Sequence, residues 1–173
     1  NKIETQLNKQ NEDFKNKIEK KSEYLKTEID KVSQDLKELI KTIIPKEENR
    51  KLYLEILATG LEGKTLEKFI IFNGAGGNGK GLMDSFVCEI LGKDYTYEEC
   101  PASLLTEKQT TNANPAKFKL NKKRLVFIKE PEEKQPFNNS MIKEITGDSY
   151  ISGRNLHSNN SNINLHLTLI CEC

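Results

Sequence analysis

The sequence predicts an α/β fold in which a parallel sheet is flanked by helices and preceded by one long helix. Two apolar runs, 69–72 and 125–128, are typical of strands buried on both faces. A glycine-rich turn follows the first run, and apolar residues at helical spacing over 82–91 follow the turn. This order of strand, turn, helix and strand predicts parallel strands joined by right-handed crossovers.

The composition excludes several classes of protein. The chain has 173 residues, with 27 Lys and Arg against 26 Asp and Glu, so its net charge is only +1. The net charge therefore does not attract the chain to nucleic acid, although a local basic surface is still compatible with this composition. No apolar run approaches the ~18 residues of a membrane span, and the polar first residues do not fit a signal peptide. We therefore expect no membrane partner and no secretion.

The cysteines suggest a reducing compartment. Four cysteines in a chain of this length do not make a disulfide scaffold and favour reduced thiols in a cytosol-like environment. A zinc site built on Cys171 and Cys173 with Cys100 or His166 is a minor alternative, because the sequence has no C-x-x-C pair.

Residues 1–44 predict one long amphipathic helix that forms a segment of its own. They contain no glycine and no proline, and a helix of this length would span about 66 Å. Such a helix cannot fold along its whole length onto a small domain. It either associates with itself or another subunit through its apolar stripe, or serves as a charged tether. The stripe consists of two sets that each step by eleven residues, namely Ile3, Phe14, Leu25 and Leu36, and Leu7, Ile18, Ile29 and Ile40.

The rest of the chain divides into a lead-in and a core. Residues 45–66 predict a short helical lead-in with stops at Gly60 and Gly63. The α/β core takes residues 67–173, within which the mostly polar stretch 93–123 predicts irregular structure.

The last part of the core predicts a short helix and a hairpin. The helix covers residues 140–146 and is closed by Gly147. Two strands, 150–152 and 162–167, flank the polar tip 158–161, which is a hairpin signal.

The glycine-rich turn fits G-x-x-x-x-G-K, the phosphate-binding loop of nucleotide-binding proteins. Glycines let successive backbone N–H groups point at phosphate oxygens, and the helix that follows adds its positive end. The lysine supplies a fixed cation to the β- and γ-phosphates. An ordinary glycine turn with an incidental lysine is the weaker reading. The predicted nucleotide-binding residues are Gly74, Ala75, Gly76, Gly77, Asn78, Gly79, Lys80 and Gly81.

Gly81 departs from the motif, which has Ser or Thr after the lysine as a Mg²⁺ ligand. The nearest hydroxyl on the predicted helix is that of Ser85, one turn further on. Either water completes the magnesium shell, which Mg²⁺ tolerates well, or the site binds nucleotide and hydrolyses it poorly. We favour the first outcome.

The second apolar strand leads to an acid that suits catalysis. Glu130 is the first carboxylate after the strand, and Pro131 ends the strand pairing there. A carboxylate at this place can hold Mg²⁺ through water or orient the attacking water. Glu132 and Glu133 are secondary candidates, which an acidic loop in solvent would explain equally well.

The order of motifs resembles superfamily 3 helicases, and more narrowly the poxvirus-type primase–helicases of large DNA viruses and some phages. The resemblance covers residues 44–173 and leaves the first helix outside. The motifs that carry it are Asn78-Gly79-Lys80 in the phosphate loop, Glu130-Pro131 after a strand, Lys143 with Thr146-Gly147-Asp148, Arg154, and the apolar strand Leu167 to Ile170.

The resemblance implies a P-loop NTPase of the AAA+-like type that uses ATP and Mg²⁺. Members of this family are ring-forming ATPases, usually hexameric, that translocate on single-stranded DNA, sometimes with a primase module in the same full-length chain. The resemblance also implies a location in the cytoplasm or in a viral replication compartment of the host cell. By the same resemblance, Arg154 and His157 on the hairpin contact DNA without reading its sequence, whereas Lys143 and Asp148 support the nucleotide site. An ordinary polar hairpin tip is the alternative for the DNA contact.

Departures from the family pattern weaken the expected activity of this chain alone. Gly147 stands alone where two glycines are usual, and the chain stops at Cys173, about where a γ-phosphate-sensing Asn would follow. No arginine finger can be assigned. We therefore expect a piece of a longer protein that binds nucleotide and hydrolyses it very slowly. Two rival interpretations are a P-loop protein that assembles on ATP without efficient hydrolysis, and a structural coiled-coil protein with a vestigial nucleotide site.

Overall fold

The computed structural model describes residues 2–63, 65–74, 77, 79–107, 114–129, 131, 135–154 and 160–173, with the side chains of 2–5, 7, 154, 160 and 161 excepted. The chain separates into two compact units, residues 1–46 and 47–173. The second unit contains both the helical lead-in and the sheet.

The first unit is a single helix, α1 (Lys2–Ile43), of 42 residues. It confirms the predicted long helix, which the absence of glycine and proline permits. The repeat positions Phe14, Ile18, Leu25 and Ile29 are 50–66% exposed. Much of the apolar stripe therefore faces solvent.

The second unit alternates helices and strands. Its elements are α2 (Glu47–Glu62), β1 (Phe69–Phe72), α3 (Lys80–Leu91), β2 (Thr96–Cys100), α4 (Ser103–Thr106), α5 (Pro115–Phe118), β3 (Leu125–Lys129), α6 (Asn139–Gly147), β4 (Tyr150–Arg154), β5 (Asn160–Asn164) and β6 (Thr168–Glu172).

Four of the six described strands form a parallel sheet with the order β1-β6-β3-β2. The predicted α/β fold with parallel strands is therefore confirmed. Strand β6 lies between β1 and β3, and all five of its residues are buried. The four apolar residues of β3 are buried as predicted, since β3 has a strand on either side and helices on both faces.

Strand β1 lies at the edge of this sheet, and the predicted burial of both its faces is wrong. Ile71 is 50% exposed, and the other residues of β1 are half-buried. A run of four large apolar residues does not distinguish an edge strand from a central one, because the position is set by how the other strands pair.

Strand β2 contradicts the prediction of irregular structure over 93–123. Its sequence is Thr-Tyr-Glu-Glu-Cys, in which only Thr96 and Cys100 are buried. Two adjacent glutamates break the apolar alternation by which strands are recognised. Pairing with the buried strand β3 supplies the stability that the sequence of β2 does not signal.

The hairpin forms by antiparallel pairing of β4 and β5, and its prediction is confirmed with wider arms. Arg154 pairs with Asn160, so the strands extend into the predicted tip 158–161. Strand β5 ends at Asn164 rather than at Leu167, because the chain then leaves the hairpin and enters β6.

Helices cover the two faces of the sheet. On one face, Met141 and Ile145 of α6 share an apolar cluster with Ile128 and Leu169 of the central strands. On the other face α2 and α3 pack together.

Two contacts seat α2 on its face of the sheet. The ring of Tyr53 lies 5.0 Å from that of Phe72. Nearer the end of the helix, the hydroxyls of Thr59 and Thr168 lie 2.8 Å apart. Helix α2 therefore contacts both β1 and β6.

Arg124 stabilises the end of α2. Its Nη1 donates to the carbonyl oxygens of Gly60 at 3.3 Å and Leu61 at 3.0 Å, which a helix leaves without partners at its C-terminus. The guanidinium also lies 4.4 Å from the centre of the Tyr95 ring. Arg124 precedes β3, so it lies at the edge of the sheet opposite the phosphate loop.

Helix α2 continues past Gly60, and the predicted stop there is wrong. The helix ends at Glu62, and Gly63 follows it with a φ of 67°, as is usual for a glycine after a helix. Gly60 instead allows close packing, because a Cβ at this place would lie 2.6 Å from Cγ of Leu125.

We predict that Gly60→Ala destabilises the protein by about 1–3 kcal/mol through overpacking. Leu125 is fully buried and cannot move aside. Urea unfolding followed by circular dichroism measures the change. Gly147→Ala is the matched control, since nothing lies within 4 Å of a Cβ there. Equal stability of the two variants would contradict the packing of α2 on β3.

Candidate functional site

The candidate site lies at the carboxyl edge of the parallel sheet. Strand β1 ends at Phe72, and α3 begins at Lys80. The connecting residues are those of the predicted phosphate loop, and they lie at the edge where ligands bind in open parallel sheets. Of this loop, Ala75, Gly76 and Asn78 lie outside the described residues.

Two glycines give the loop its backbone conformation. Gly77 has a φ of 73°, and Gly79 has a φ of 86°. Both values lie in the left-handed region, where a Cβ is strained. Gly79 is also the N-cap of α3, and its carbonyl accepts the N–H of Met83 at 3.3 Å. The positive end of the helix therefore faces the loop.

Lys80 connects the two ends of the loop. Its Nζ donates to the carbonyl oxygen of Gly74 at 3.2 Å, and the side chain is half-buried. The ammonium group thus lies over the loop rather than extending into solvent.

The residue after β6 holds the start of the loop. Cys173 N–H donates to the carbonyl of Phe72 at 3.0 Å, and Gly74 N–H donates to the carbonyl of Cys173 at 3.1 Å. These bonds continue the pairing of β1 and β6 past the ends of both strands. The first residues of the loop are therefore hydrogen-bonded to the end of the central strand β6.

The predicted catalytic acid Glu130 and the secondary candidates Glu132 and Glu133 lie outside the described residues. What the structure describes is the strand that precedes them. Lys129 ends β3, and its Nζ lies 3.6 Å from Oε1 of Glu98. Strand β6 separates β3 from β1, so the ends of these two strands are about 10 Å apart, twice the usual strand spacing.

Ser85 takes no part in the loop. Its hydroxyl donates to Glu98 of β2, and the side chain is exposed. Gly81 has no neighbour within 4 Å of where a Cβ would be. A Mg²⁺ ion bound with ATP would therefore depend on water, on the phosphates and on an acid after β3, which Mg²⁺ accepts.

A buried acidic pair, Asp84 and Glu172, lies next to the loop and was missed by sequence reasoning. Asp84 follows Lys80 by one helical turn and is 0% exposed, and Glu172 at the end of β6 is 6% exposed. Tyr53 Oη donates to Oδ1 of Asp84 at 3.4 Å. The feature that could have indicated the pair is the position of Asp84 on the buried face of α3, between Met83 and Cys88.

Burial governs the titration of these groups. It raises the pKa of Asp84 from 3.8 to about 8, with further contributions from the hydrogen bond and the charge of Glu172. Burial also raises the pKa of Tyr53, and the charge of Asp84 adds to this effect.

The remaining predicted site residues lie elsewhere. Lys143 is exposed on α6, and Asp148 is exposed directly after it. Helix α6 packs on the face of the sheet opposite to α3. No ion pair or side-chain hydrogen bond within the described chain joins either residue to the loop. Arg154 ends β4, with its side chain outside the described residues, as is all of His157.

The described residues give no support to the zinc alternative. Sγ of Cys171 lies 3.9 Å from Sγ of Cys173, whereas Cys100 is buried and His166 is exposed. Within the described chain, no three His, Cys, Asp or Glu side chains are placed to hold a metal ion. Burial raises the pKa of Cys100 and that of Cys171 to about 12, which disfavours the thiolates that zinc requires.

No helix in the described part of the chain has both the length and the apolar character that a membrane span requires.

Comparison with known proteins finds a viral relative by sequence. The chain is 28% identical over 130 residues to the protein named Primase D5 of fowlpox virus (strain NVSL), and this alignment covers 72% of the chain and 16% of that protein. No protein-family model matches the chain.

Comparison of structures finds the C-terminal region of NrS-1. The A form apo structure of this region has a TM-score of 0.63 and 19% identity, and covers 79% of this chain and 32% of the other. A second apo structure, of residues 305–718, has a TM-score of 0.64 and 17% identity with the same coverage.

These findings support part of the resemblance drawn from the motifs. The chain is similar in sequence to a poxvirus primase, and it shares the fold of the NrS-1 region. It spans less than a third of each of these longer chains. Membership of superfamily 3 stays a prediction.

Proposed function

We propose that this chain is the nucleotide-binding part of an ATP-dependent DNA helicase, a ring-forming ATPase that moves along single-stranded DNA during viral-type DNA replication. The observation that carries the proposal is the loop between β1 and α3, with left-handed Gly77 and Gly79 and with Lys80 Nζ against the carbonyl of Gly74. The similarity to a poxvirus primase supports the role in replication.

ATP would bind with its phosphates on the loop, residues 74–81. Loop N–H groups and the N-terminus of α3 would donate to the β- and γ-phosphate oxygens. Lys80 would exchange its bond to the carbonyl of Gly74 for charge-assisted bonds to the phosphates, which are stronger. The backbone bonds of Cys173 to Phe72 and Gly74 join the start of the loop to the end of β6.

Hydrolysis would require an acid near the γ-phosphate. The end of β3 lies about 10 Å from the end of β1, with β6 between them. Glu130 follows β3 directly in the sequence, so we assign it to orient the attacking water and to hold Mg²⁺ through water. The metal would neutralise the phosphate charge. A gap of two strand spacings leaves room for the γ-phosphate and the water between Lys80 and the acid.

Contact with DNA is assigned to the β4–β5 hairpin. The hairpin is a two-stranded sheet separate from the four-stranded one, and Ile151 and Ile163 anchor it in the apolar core. Arg154 at the end of β4 and His157 beyond it would contact phosphates, which hold a strand without reading its bases. In a ring, one such hairpin per subunit would line the channel, so a net charge of +1 for the chain is no obstacle.

A second candidate function is ATP-dependent assembly without efficient hydrolysis. Two observations favour it. Gly81 provides no hydroxyl for Mg²⁺, and the hydroxyl of Ser85 is bonded to Glu98. In this case ATP would bind the loop and order the subunits, and Glu130 would have no catalytic part.

We predict that Lys80→Ala weakens ATP binding at least about tenfold, because a charge-assisted contact contributes roughly 1.5–3 kcal/mol. Isothermal titration calorimetry of the 173-residue chain with Mg-ATP measures the affinity. Lys68→Ala is the matched control, since Lys68 is exposed just before β1, at the other end of the same strand. Equal affinities of the two variants, or no binding by the unaltered chain, would contradict the proposed nucleotide site.

We predict that Glu130→Gln leaves ATP binding within about threefold and lowers DNA-stimulated hydrolysis at least about a hundredfold, as expected for loss of a general base. The measurement is steady-state ATP hydrolysis with and without single-stranded DNA, at high protein concentration because slow turnover is expected. Glu89→Gln is its control, since Glu89 is exposed on α3 and has no assigned part in the site. Equal hydrolysis by Glu130→Gln and the unaltered protein would favour the second candidate function.

A further inference from the structure

Two carboxyl groups lie side by side under the phosphate loop without solvent. Asp84 projects from α3 and is 0% exposed, and Glu172 projects from β6 and is 6% exposed. Glu172 is in register with Phe72 of β1 and with Lys129 of β3. The pair therefore occupies the centre of the sheet edge from which the loop rises.

The hydrogen bonding of the pair is incomplete unless it holds a proton. Glu172 lies near enough to Asp84 to raise its pKa through hydrogen bonding and through its charge, after the larger effect of burial. Oδ2 of Asp84 and Oε1 of Glu172 are buried and meet no N–H or O–H donor within the described chain. Ionised carboxylates only accept hydrogen bonds. Two of them in contact therefore require one shared proton, since like charges in a buried site cannot both persist.

The surrounding groups favour this state. Tyr53 of α2 donates to Asp84 as a neutral phenol, and Cys88 of α3 is a neutral thiol whose pKa burial raises. Lys129 of β3 is the nearby cation and favours ionisation of Asp84, but it is also paired with Glu98 of β2. The balance keeps Asp84 protonated at neutral pH, because burial and Glu172 outweigh Lys129.

We propose that Asp84 and Glu172 share one buried proton and act as a positioning pair that fixes the helix of the phosphate loop against the strand beside it. Asp84 lies one turn after Lys80, which begins α3. Glu172 lies one residue before Cys173, whose backbone holds Phe72 and Gly74. The shared proton thus joins the elements that carry the two ends of the loop.

Loss of this proton would loosen the loop. Two buried negative charges repel, so α3 and β6 separate and Lys80 loses its position over Gly74. Nucleotide affinity would then fall as the pH rises past about 8. This consequence rests on the proposed nucleotide site. The sharing of the proton does not.

The shared proton also has a consequence for stability that is independent of nucleotide. Because the pKa of Asp84 is raised from 3.8 in the ordinary state to about 8 in the folded protein, the folded chain binds this proton more tightly than the unfolded chain does. Its contribution to stability is full below about pH 4 and is lost as the pH rises to about 8.

The test compares the unaltered chain with Asp84→Asn, whose neutral amide donates to Glu172 at every pH. Asp94→Asn is the control, because Asp94 is an exposed aspartate in the turn after α3. Calorimetry at about pH 7.5 and about pH 9 should show that the affinity for Mg-ATP falls about tenfold in the unaltered chain and in Asp94→Asn. In Asp84→Asn it should change by less than about threefold. A fall of the same size in Asp84→Asn would overturn the positioning role.

Titration of the nucleotide-free chain keeps the pair testable if ATP does not bind or Asp84→Asn does not fold. The carboxyl carbon of Asp84, followed by carbon-13 NMR in the unaltered chain, should titrate near pH 8. A midpoint near the ordinary value of about 4 would overturn the shared proton. Absence of ATP binding together with a midpoint near 8 would leave the pair standing and refute the proposed function.

Discussion

The insertion of β6 between β1 and β3 is the constraint on which the rest of the structure depends. All five residues of β6 are buried, and it pairs in parallel with the strand on either side. Burial on both faces and bonding along both edges leave it no freedom to shift. The strand therefore sets the spacing between the phosphate loop, which follows β1, and the acidic segment, which follows β3.

The same strand places polar groups where an apolar core would be simpler. The strand ends at the buried Glu172, near Asp84, and the next residue, Cys173, holds the start of the loop through its backbone. Burial of paired carboxyl groups costs stability compared with an apolar pair of the same shape. A cost of this kind, beside a loop with left-handed glycines, is typical of a functional site rather than of a merely structural sheet edge.

Part of this arrangement follows from the sequence by local rules. Strand β3, helix α3 and the loop between β1 and α3 are predictable, because apolar runs, helical spacing and glycine positions report local conformation directly. The long helix α1 is predictable for the same reason. By contrast, the edge position of β1 and the existence of β2 depend on strand pairing, which four or five residues do not encode by themselves.

Local sequence rules do not predict that Asp84 and Glu172 come together in the fold. In the sequence, Asp84 is a single polar residue in a helical pattern, and Glu172 follows an apolar strand pattern. Only the parallel register of β6 and the packing of α3 bring them together. The candidate phosphate ligands are consecutive and can therefore be predicted from the sequence. The members of the acidic pair are far apart in sequence and cannot.

The loop between β1 and α3 is proposed to bind the phosphates of a nucleotide. Amide NMR of the nitrogen-15-labelled chain, titrated with Mg-ATP, tests it most directly. The largest shifts are expected in residues 74–81 and in Cys173, whose carbonyl accepts the N–H of Gly74. Saturable binding with its shifts centred elsewhere, or no shifts in the loop, would contradict it.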